Sequence, residues 1–569
     1  MRSKFISRVR LLSLGVLLVA LILIGRLYVV QVVHGETFSD RANRQYVRPN
    51  QNLYDRGSIF FKDRDGRLVS GATLKAGYTV AVNPNIIKKP DEIYISLNEV
   101  VDVEEENFMY RASREDDTYE EVKKRATLED AEKIQELDLD GVSVHKERWR
   151  FYPGDTLAAH TLGFVGFQGD ILSGRYGLER YYDDVLSRDG SSIYVNFFAE
   201  VFSNLGKTIF KGEPREGDLI TSIEPSVQLQ LERVVNEISE EWNARRSAGV
   251  IINPQTGDIY AVAVDPSFDV NNFSKEESSS IFTNPLVENV YEMGSIMKPL
   301  TMAAGIDSGA VTATTTYYDS GSIDLDGYTI SNFDGEGRGR VPMQEVLNQS
   351  LNTGVSFVVD EMGEKVFRDY LYGFGVSDET GIDLPGEVPG LVSNLESPRK
   401  LEYATASFGQ GIALTPIATV RALSTLANAG VPTSPHVVNE IKYKSGLTKK
   451  VTPTKGEQVI SKKSSEEITR MLVEVVDEAL LGGTVAMENY SIAAKTGTAQ
   501  IAKVGERGYY DDRFLHSFFG YFPAYDPQFL IFLMTIEPKE VRYASQTLTH
   551  PFIDTVKFLI NYYSVPPDR

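Results

Sequence analysis

Ser295 and Lys298 stand three residues apart in Glu292-Met-Gly-Ser-Ile-Met-Lys-Pro-Leu-Thr-Met-Ala-Ala304. Pro299 lacks an N–H and is best tolerated in the first turn of a helix, so a helix is predicted to begin near Ser295. One helical turn then brings the serine hydroxyl and the lysine amine to one face, about 5–6 Å apart at Cβ. A serine hydroxyl needs a base to become a nucleophile, and a lysine without its proton is one. The positive end of the helix and a second cation lower the lysine's hold on its proton, and the Ser295 N–H is free to stabilise an oxyanion. The spacing alone is weak evidence. Ser143 to Lys146 and Ser397 to Lys400 repeat it, and capping a helix is an equally good use of Ser295.

Two more segments carry convergent polar groups. Asn348-Gln-Ser-Leu-Asn-Thr-Gly354 offers Ser350 and Asn352, a hydroxyl and an amide aimed at one point from a turn or helix end. Ser96-Leu97-Asn98 repeats the triplet, and a cap or turn is the commoner use of either copy. Tyr490-Ser-Ile-Ala-Ala-Lys-Thr-Gly-Thr-Ala-Gln500 occurs once and is the most specific. Small apolar residues lead into Lys495, and Gly497 leaves a strand face bare, which often marks the close approach of another backbone. A peptide substrate laid along the edge is the expected neighbour. Lys495 supplies positive charge for a carboxylate, Thr496 and Thr498 supply hydroxyls, and a backbone N–H near Thr498 can complete an oxyanion hole. An edge lysine that only discourages aggregation is the competing use.

The elements that must position these groups form an α+β pattern. Ala248 to Val264 is two apolar strands around a Pro254 to Gly257 turn. Ser517 to Phe522 and Phe529 to Ile536 flank a second turn, and a helix is predicted from about Pro551 to Tyr563. Ser226 to Trp242 has apolar residues at helical spacing. Strands thus cluster at both ends of this region, with helical sequence expected from about 292 to 430 between them.

The whole chain is 569 residues, too long for one ordinary domain, with 42% hydrophobic and 24% charged residues. It has no cysteine, which excludes disulfides, thiolate catalysis and cysteine metal sites. A net charge of −21 repels phosphate backbones and argues against nucleic acid as a partner. The first ten residues are basic, however, and the apolar run Leu11 to Val33, interrupted by Arg26, is long enough to span a bilayer. The positive-inside rule then puts residues 1–10 in the cytoplasm and everything after Val33 outside. A cleaved signal peptide is the alternative, but no small-x-small cleavage pattern follows the run. The acidic stretch from Asp91 to Asp140 is expected to be a solvated face, and the six histidines lack metal-ligand spacing.

Taken in order, Ser-x-x-Lys, Ser-x-Asn and Lys-Thr-Gly are the motif series of penicillin-binding proteins and serine β-lactamases. The chain resembles a class B penicillin-binding protein, a peptidoglycan D,D-transpeptidase, over nearly its whole length. The resemblance extends to Arg56-Gly-Ser-Ile59 with Asp63-Arg-Asp-Gly66, Arg150-Phe-Tyr-Pro-Gly154 with Gly163-Phe-Val-Gly166, and Gly177-Leu-Glu179. It also covers Asn253-Pro-Gln-Thr-Gly257, Gly409-Gln-Gly411 and Phe518-Phe-Gly-Tyr-Phe-Pro523. The sequence from Ser517 to Pro538 and the ending Val565-Pro-Pro567 look most like the division-specific branch.

This resemblance implies four parts: a cytoplasmic head at 1–10, a single transmembrane helix at 11–33, an elongated mixed α/β pedestal at 34–217, and a transpeptidase domain at 218–569. In that last domain an antiparallel sheet is expected to carry helices on both sides. It implies Ser295 as nucleophile, Lys298 as its base and Ser350 as proton relay, with Asn352, Lys495, Thr496, Gly497 and Thr498 binding substrate. No metal or cofactor is implied. The implied partners are stem peptides as D-Ala-D-Ala donor and amine acceptor, β-lactams as covalent inhibitors, and a polytopic glycan polymerase with division proteins at the membrane. Two departures stand out: Met293 where the family commonly has proline, and Tyr543-Ala-Ser-Gln-Thr in place of a glycine-rich run. An elongation-type enzyme, a D,D-carboxypeptidase, an inactive division scaffold and a β-lactam sensor share parts of this pattern.

Overall fold

The computed structural model of the chain describes residues 54–114, 117–169, 171–188, 216–503, 505–506 and 508–569. The basic head and the apolar run to Val33 lie outside them. Among the described residues no helix is long and apolar enough to cross a membrane.

The chain divides into two compact units. Lys75–Trp149 forms one. Its helices Pro90–Asn98, Glu105–Ala112 and Leu128–Glu136 and its strand Glu120–Ala126 enclose a core that includes Val80, Val82, Leu97, Phe108 and Ile134. Thr127 and Asp130 close a reciprocal cap on the third helix. The acidic residues Asp91, Glu92, Glu105 and Glu106 are exposed, as a solvated face should be. Glu120 is the exception, buried against Arg111 and Arg114.

Arg56–Leu74, Arg150–Arg188 and the chain from Glu216 onward make the other unit. Helix α1 (Pro225–Glu241) begins with Pro225 in its first turn and Glu224 accepting from Val227 N–H. Two strands follow, β1 (Arg246–Ile252) and β2 (Ile259–Asp265), then helix α2 (Lys298–Asp307). Next come four short strands: β3 (Thr316–Asp319), β4 (Ser322–Leu325), β5 (Tyr328–Ser331) and β6 (Gly339–Pro342). Helices α3 (Met343–Asn348) and α4 (Asn352–Met362) follow them. Far along the chain β7 (Ala493–Ala502), β8 (Tyr509–Phe522), β9 (Phe529–Ile536) and helix α5 (Thr549–Tyr563) complete the unit.

The sheet order is β7-β8-β9-β1-β2, antiparallel at every step. Both faces are buried. Ile531 and Leu533 of β9 pack under α1 and α5 with Val234, Val235, Phe552 and Val556. The alternating Leu530, Phe532 and Met534 share a core with Leu300 of α2, Val358 of α4 and Leu423 of the helix Pro416–Ala427. A strand covered on two sides reads as an unbroken apolar run, which is why Phe529 to Ile536 shows no alternation. One expectation fails here: the sequence from 292 to 430 is not all helical, because β3 to β6 form two small hairpin-like pairs, β3 with β6 and β4 with β5. Four-residue strands broken by Gly, Asp and Ser are too short to carry a period.

Candidate active site

A single 3-10 turn, Gly294–Met297, carries Ser295 and runs directly into α2. The α-helix proper therefore starts at Lys298, three residues later than the sequence suggests. Gly294 has φ of +63°, and a Cβ there would lie 2.8 Å from the Thr498 carbonyl oxygen. Its N–H donates to Gly409 O at 3.2 Å. Glu292 ties the turn to the Gly409-Gln-Gly411 loop by accepting from Gly411 N–H and from the Tyr509 hydroxyl, both at 3.1 Å. Met293 is buried with φ of −85°, near the value a proline imposes, and its carbonyl accepts from Ser517 Oγ at 2.9 Å.

Gly497 corrects an expectation. A Cβ on it would meet Ser517 Oγ at 2.4 Å and the Met293 carbonyl oxygen at 2.8 Å. The backbone that approaches its bare face is therefore that of the protein's own Ser295-bearing turn, not a ligand's.

Lys298 and Lys495 converge on Ser350. Lys298 Nζ donates to the Ser350 carbonyl and lies 3.1 Å from Ser350 Oγ; Lys495 Nζ lies 3.1 Å from the same Oγ and 3.2 Å from Thr496 O. Both side chains are buried, and among the described residues neither forms an ion pair. Burial, and then the neighbouring Lys495 charge, push Lys298 well below the ordinary lysine pKa. Burial lowers Lys495 to about 8. Ser295 Oγ has no hydrogen-bond partner among the described residues, and Lys298 Nζ rests on Ser350.

Asn352 opens α4, with its Nδ2 donating to Ser331 O at 2.8 Å. Thr498 Oγ1 accepts from Ala544 N–H at 3.0 Å. Together Ser295, Ser350, Asn352, Thr496 and Thr498 line one cleft of about 490 Å³. Residues that sequence reasoning had not placed there share the lining: Asn332, Phe333, Phe408, Gln410, Phe514 and Arg542. Gln410 alone had a signal, in the Gly-Gln-Gly motif. The segment replacing the glycine-rich run forms one rim of the cleft, with Tyr543 edge-on to Phe333 at 5.8 Å between ring centres. His516 fixes that rim from beneath: Nε2 donates to Arg542 O at 3.0 Å, and Nδ1 lies 3.0 Å from Thr547 Oγ1. Burial holds the imidazole neutral, with a pKa of about 4.

The repeats of the motifs lie elsewhere. Lys400 pairs with Asp360 at the surface, Ser143 and Lys146 lie on a strand, and Ser96 to Asn98 ends a helix.

Residues 247–556 match the penicillin-binding protein transpeptidase domain, and residues 54–218 match the penicillin-binding protein dimerisation domain. Stage V sporulation protein D of Bacillus subtilis is 31% identical over 95% of this chain and 83% of its own length. The peptidoglycan D,D-transpeptidase FtsI of Buchnera aphidicola is 25% identical over 100% of this chain and 97% of its own. The fold is also that of penicillin-binding protein 2X from Streptococcus thermophilus, with a TM-score of 0.73 at 20% identity over 90% of this chain and 81% of that one. The chain belongs to the class B penicillin-binding proteins, and residues 247–556 form its serine transpeptidase domain.

Proposed function

We propose that this chain cross-links peptidoglycan stem peptides through an ester on Ser295. The observation that carries the reading is the meeting of all three motifs in one cleft, with two buried lysines on Ser350 that form no ion pair among the described residues. Ser295 Oγ attacks the carbonyl carbon of the penultimate D-Ala in a donor stem, and its proton passes to Lys298. The tetrahedral oxyanion is stabilised by backbone N–H groups at Ser295 and Thr498. Ser350 relays the proton to the departing amine, the C–N bond breaks, and terminal D-Ala leaves. Asn352 holds the donor's amide, and Lys495 with Thr496 and Thr498 binds its terminal carboxylate. The amine of a neighbouring stem then attacks the ester, forming the cross-link and freeing Ser295. Gly497 serves this site by letting the nucleophile turn pack on β7.

The setting is wall synthesis at the septum, supported by the resemblance of Ser517 to Pro538 and of the C-terminal Val565-Pro-Pro567 to the division branch. Residues 11–33 anchor the chain as a single membrane span with residues 1–10 cytoplasmic. A pedestal at 34–217 carries the transpeptidase domain at 218–569 outside the membrane, beside a polytopic glycan polymerase and division proteins.

The experiment is covalent labelling of the full chain, purified in detergent, by a fluorescent penicillin, beside Ser295→Ala. Labelling that vanishes in the variant supports the reading; label that survives in Ser295→Ala, or none in folded wild type, overturns it. Product analysis with and without an amine acceptor then separates transpeptidation from carboxypeptidation.

A further inference from the structure

Ser350 sits in the left-handed region with φ of +56°, a conformation that side-chain-bearing residues rarely adopt. Such a residue persists only where its surroundings over-determine it. The surroundings come from the segment of short strands that sequence reasoning had assigned to helix. Before Ser350, Arg338 Nε donates to Gln349 Oε1 at 2.9 Å, while Gln349 Nε2 donates to Glu345 Oε2 at 2.8 Å. Asp334 holds the guanidinium in a two-point ion pair, 2.6 and 2.8 Å.

After Ser350, the residue at the cap position of α4 is Leu351, whose side chain has no acceptor to offer. The acceptor comes from twenty residues earlier. Asn332 Oδ1 takes the N–H of Asn352 at 3.0 Å and of Thr353 at 3.3 Å. Asn332 is locked in turn: its Nδ2 reaches both carboxylate oxygens of buried Asp319 at 3.0 Å and Glu336 O at 3.2 Å. Asp319 also accepts from Thr353 Oγ1 at 2.7 Å and from Arg338 N–H at 3.0 Å, which joins the two halves.

We propose that Thr316–Pro342 is a clamp, with Asn332 and Arg338 as positioning residues that hold Ser350 between Lys298 and Lys495 and set Asn352 at the cleft. This rests on the roles given above to Ser350 and Asn352. Asn332 is the cap that Leu351 cannot be, and Asp319 fixes which end of the Asn332 amide faces α4. An Asn at 332 meets both needs, an acceptor toward α4 and a donor toward Asp319. An Asp there keeps the first, loses the second and places two carboxylates together.

The test is the time course of acylation of the full chain by fluorescent penicillin, resolved into a saturation constant and a first-order acylation constant. Wild type is compared with Asn332→Ala, Asn332→Asp and the exchange Asn332→Asp/Asp319→Asn, with thermal unfolding of each. A displacement near 1 Å at a reacting group costs up to about 100-fold in rate. Both single variants are expected to lose about 10- to 100-fold in the first-order constant, with the saturation constant moving much less. The exchange, which restores one carboxylate facing one amide, recovers a large part of the loss. Single variants that acylate at the wild-type rate per folded molecule overturn the proposal, as does an exchange variant no faster than Asn332→Asp. If Asn332→Ala does not fold, the isosteric Asn332→Asp carries the comparison. A wild-type protein that takes no label overturns the functional reading itself, and this inference with it.

Discussion

Two clusters of buried charge sit in the same compact unit and are satisfied in opposite ways. Around Glu179, one carboxylate faces two guanidiniums: Oε2 accepts from Arg56 Nε at 2.6 Å, and Oε1 from Arg150 Nε at 2.5 Å and Tyr152 OH at 3.2 Å. Arg56 also reaches Asp183 at 2.7 Å. Around Ser350, two ammonium-bearing side chains share a hydroxyl and backbone carbonyls. In the first cluster every charge finds an opposite charge, so removal of one partner leaves the others stranded. In the second, no anion among the described residues offsets the cost of burial, and burial lowers both lysine pKa values. Paired burial makes a rigid joint between Arg56, Arg150 and Glu179, whereas burial with no ion-pair partner among the described residues suits Lys298 and Lys495 to the proposed roles of base and carboxylate binder.

That contrast is most directly broken at Lys298. Lys298→Met keeps the length of the side chain without the charge, and penicillin acylation is expected to fall about 1,000-fold, as loss of a general base does. Stability should hold or rise, because a buried amine with no ion-pair partner among the described residues gives way to an apolar side chain of similar length; a thermal unfolding scan beside the acylation assay reads both. At Glu179 the expected sign is reversed. Glu179→Ala leaves Arg56 and Arg150 buried without their carboxylate and should cost about 3–5 kcal/mol in unfolding free energy. Acylation per folded molecule should stay near wild type, and a denaturant titration with active-site labelling checks the pair.

The third expectation sharpens the electrostatics. Lys495 is lowered to about 8 from the ordinary lysine range, so the second-order acylation constant, which reports the free protein, should fall as pH rises through about 8 and the anion site loses its charge. Lys495→Arg, charged at all accessible pH, should lose that limb even if it reacts more slowly. The linked stability runs the other way. The unfolded chain keeps its lysine proton to about 10.4, so this group's contribution rises with pH between about 8 and 10.4. A pH series of acylation rates and unfolding midpoints tests both signs.

Much of the site is legible in the sequence. Ser295 and Lys298 lie within one turn, Pro299 fixes where a helix can start, and Lys495 to Thr498 occupy one short strand. Their identities and order follow from neighbours in the chain. The hairpin Ala248 to Val264 and the pair Ser517 to Phe522 with Phe529 to Ile536 were legible for the same reason, since long apolar runs ending in Pro and Gly turns bury themselves in a sheet.

What stayed hidden depends on contacts between distant residues. Asn332 and Asp319 have no local signature, because an Asn after a four-residue strand reads as a turn until α4 is seen to lack its own cap. Gly497 reads in the sequence as room for a peptide, but a bare strand face does not say whose backbone fills it, and here it is that of Met293. The second contact of Lys298 is likewise hidden: spacing along a helix places Ser295 near, but only the packing of Ser350 between α2 and β7 shows that the amine also rests on Ser350.

The sequence by itself determined which chemical groups are available, a serine, two lysines and an amide, because residue type and short-range periodicity are properties of the chain alone. Tertiary structure decided how those groups behave. Hydrogen-bond partners and loss of water depend on what the rest of the fold brings within a few ångströms, and it is burial with no counter-charge among the described residues that lowers the pKa of two ordinary lysines around one serine at positive φ.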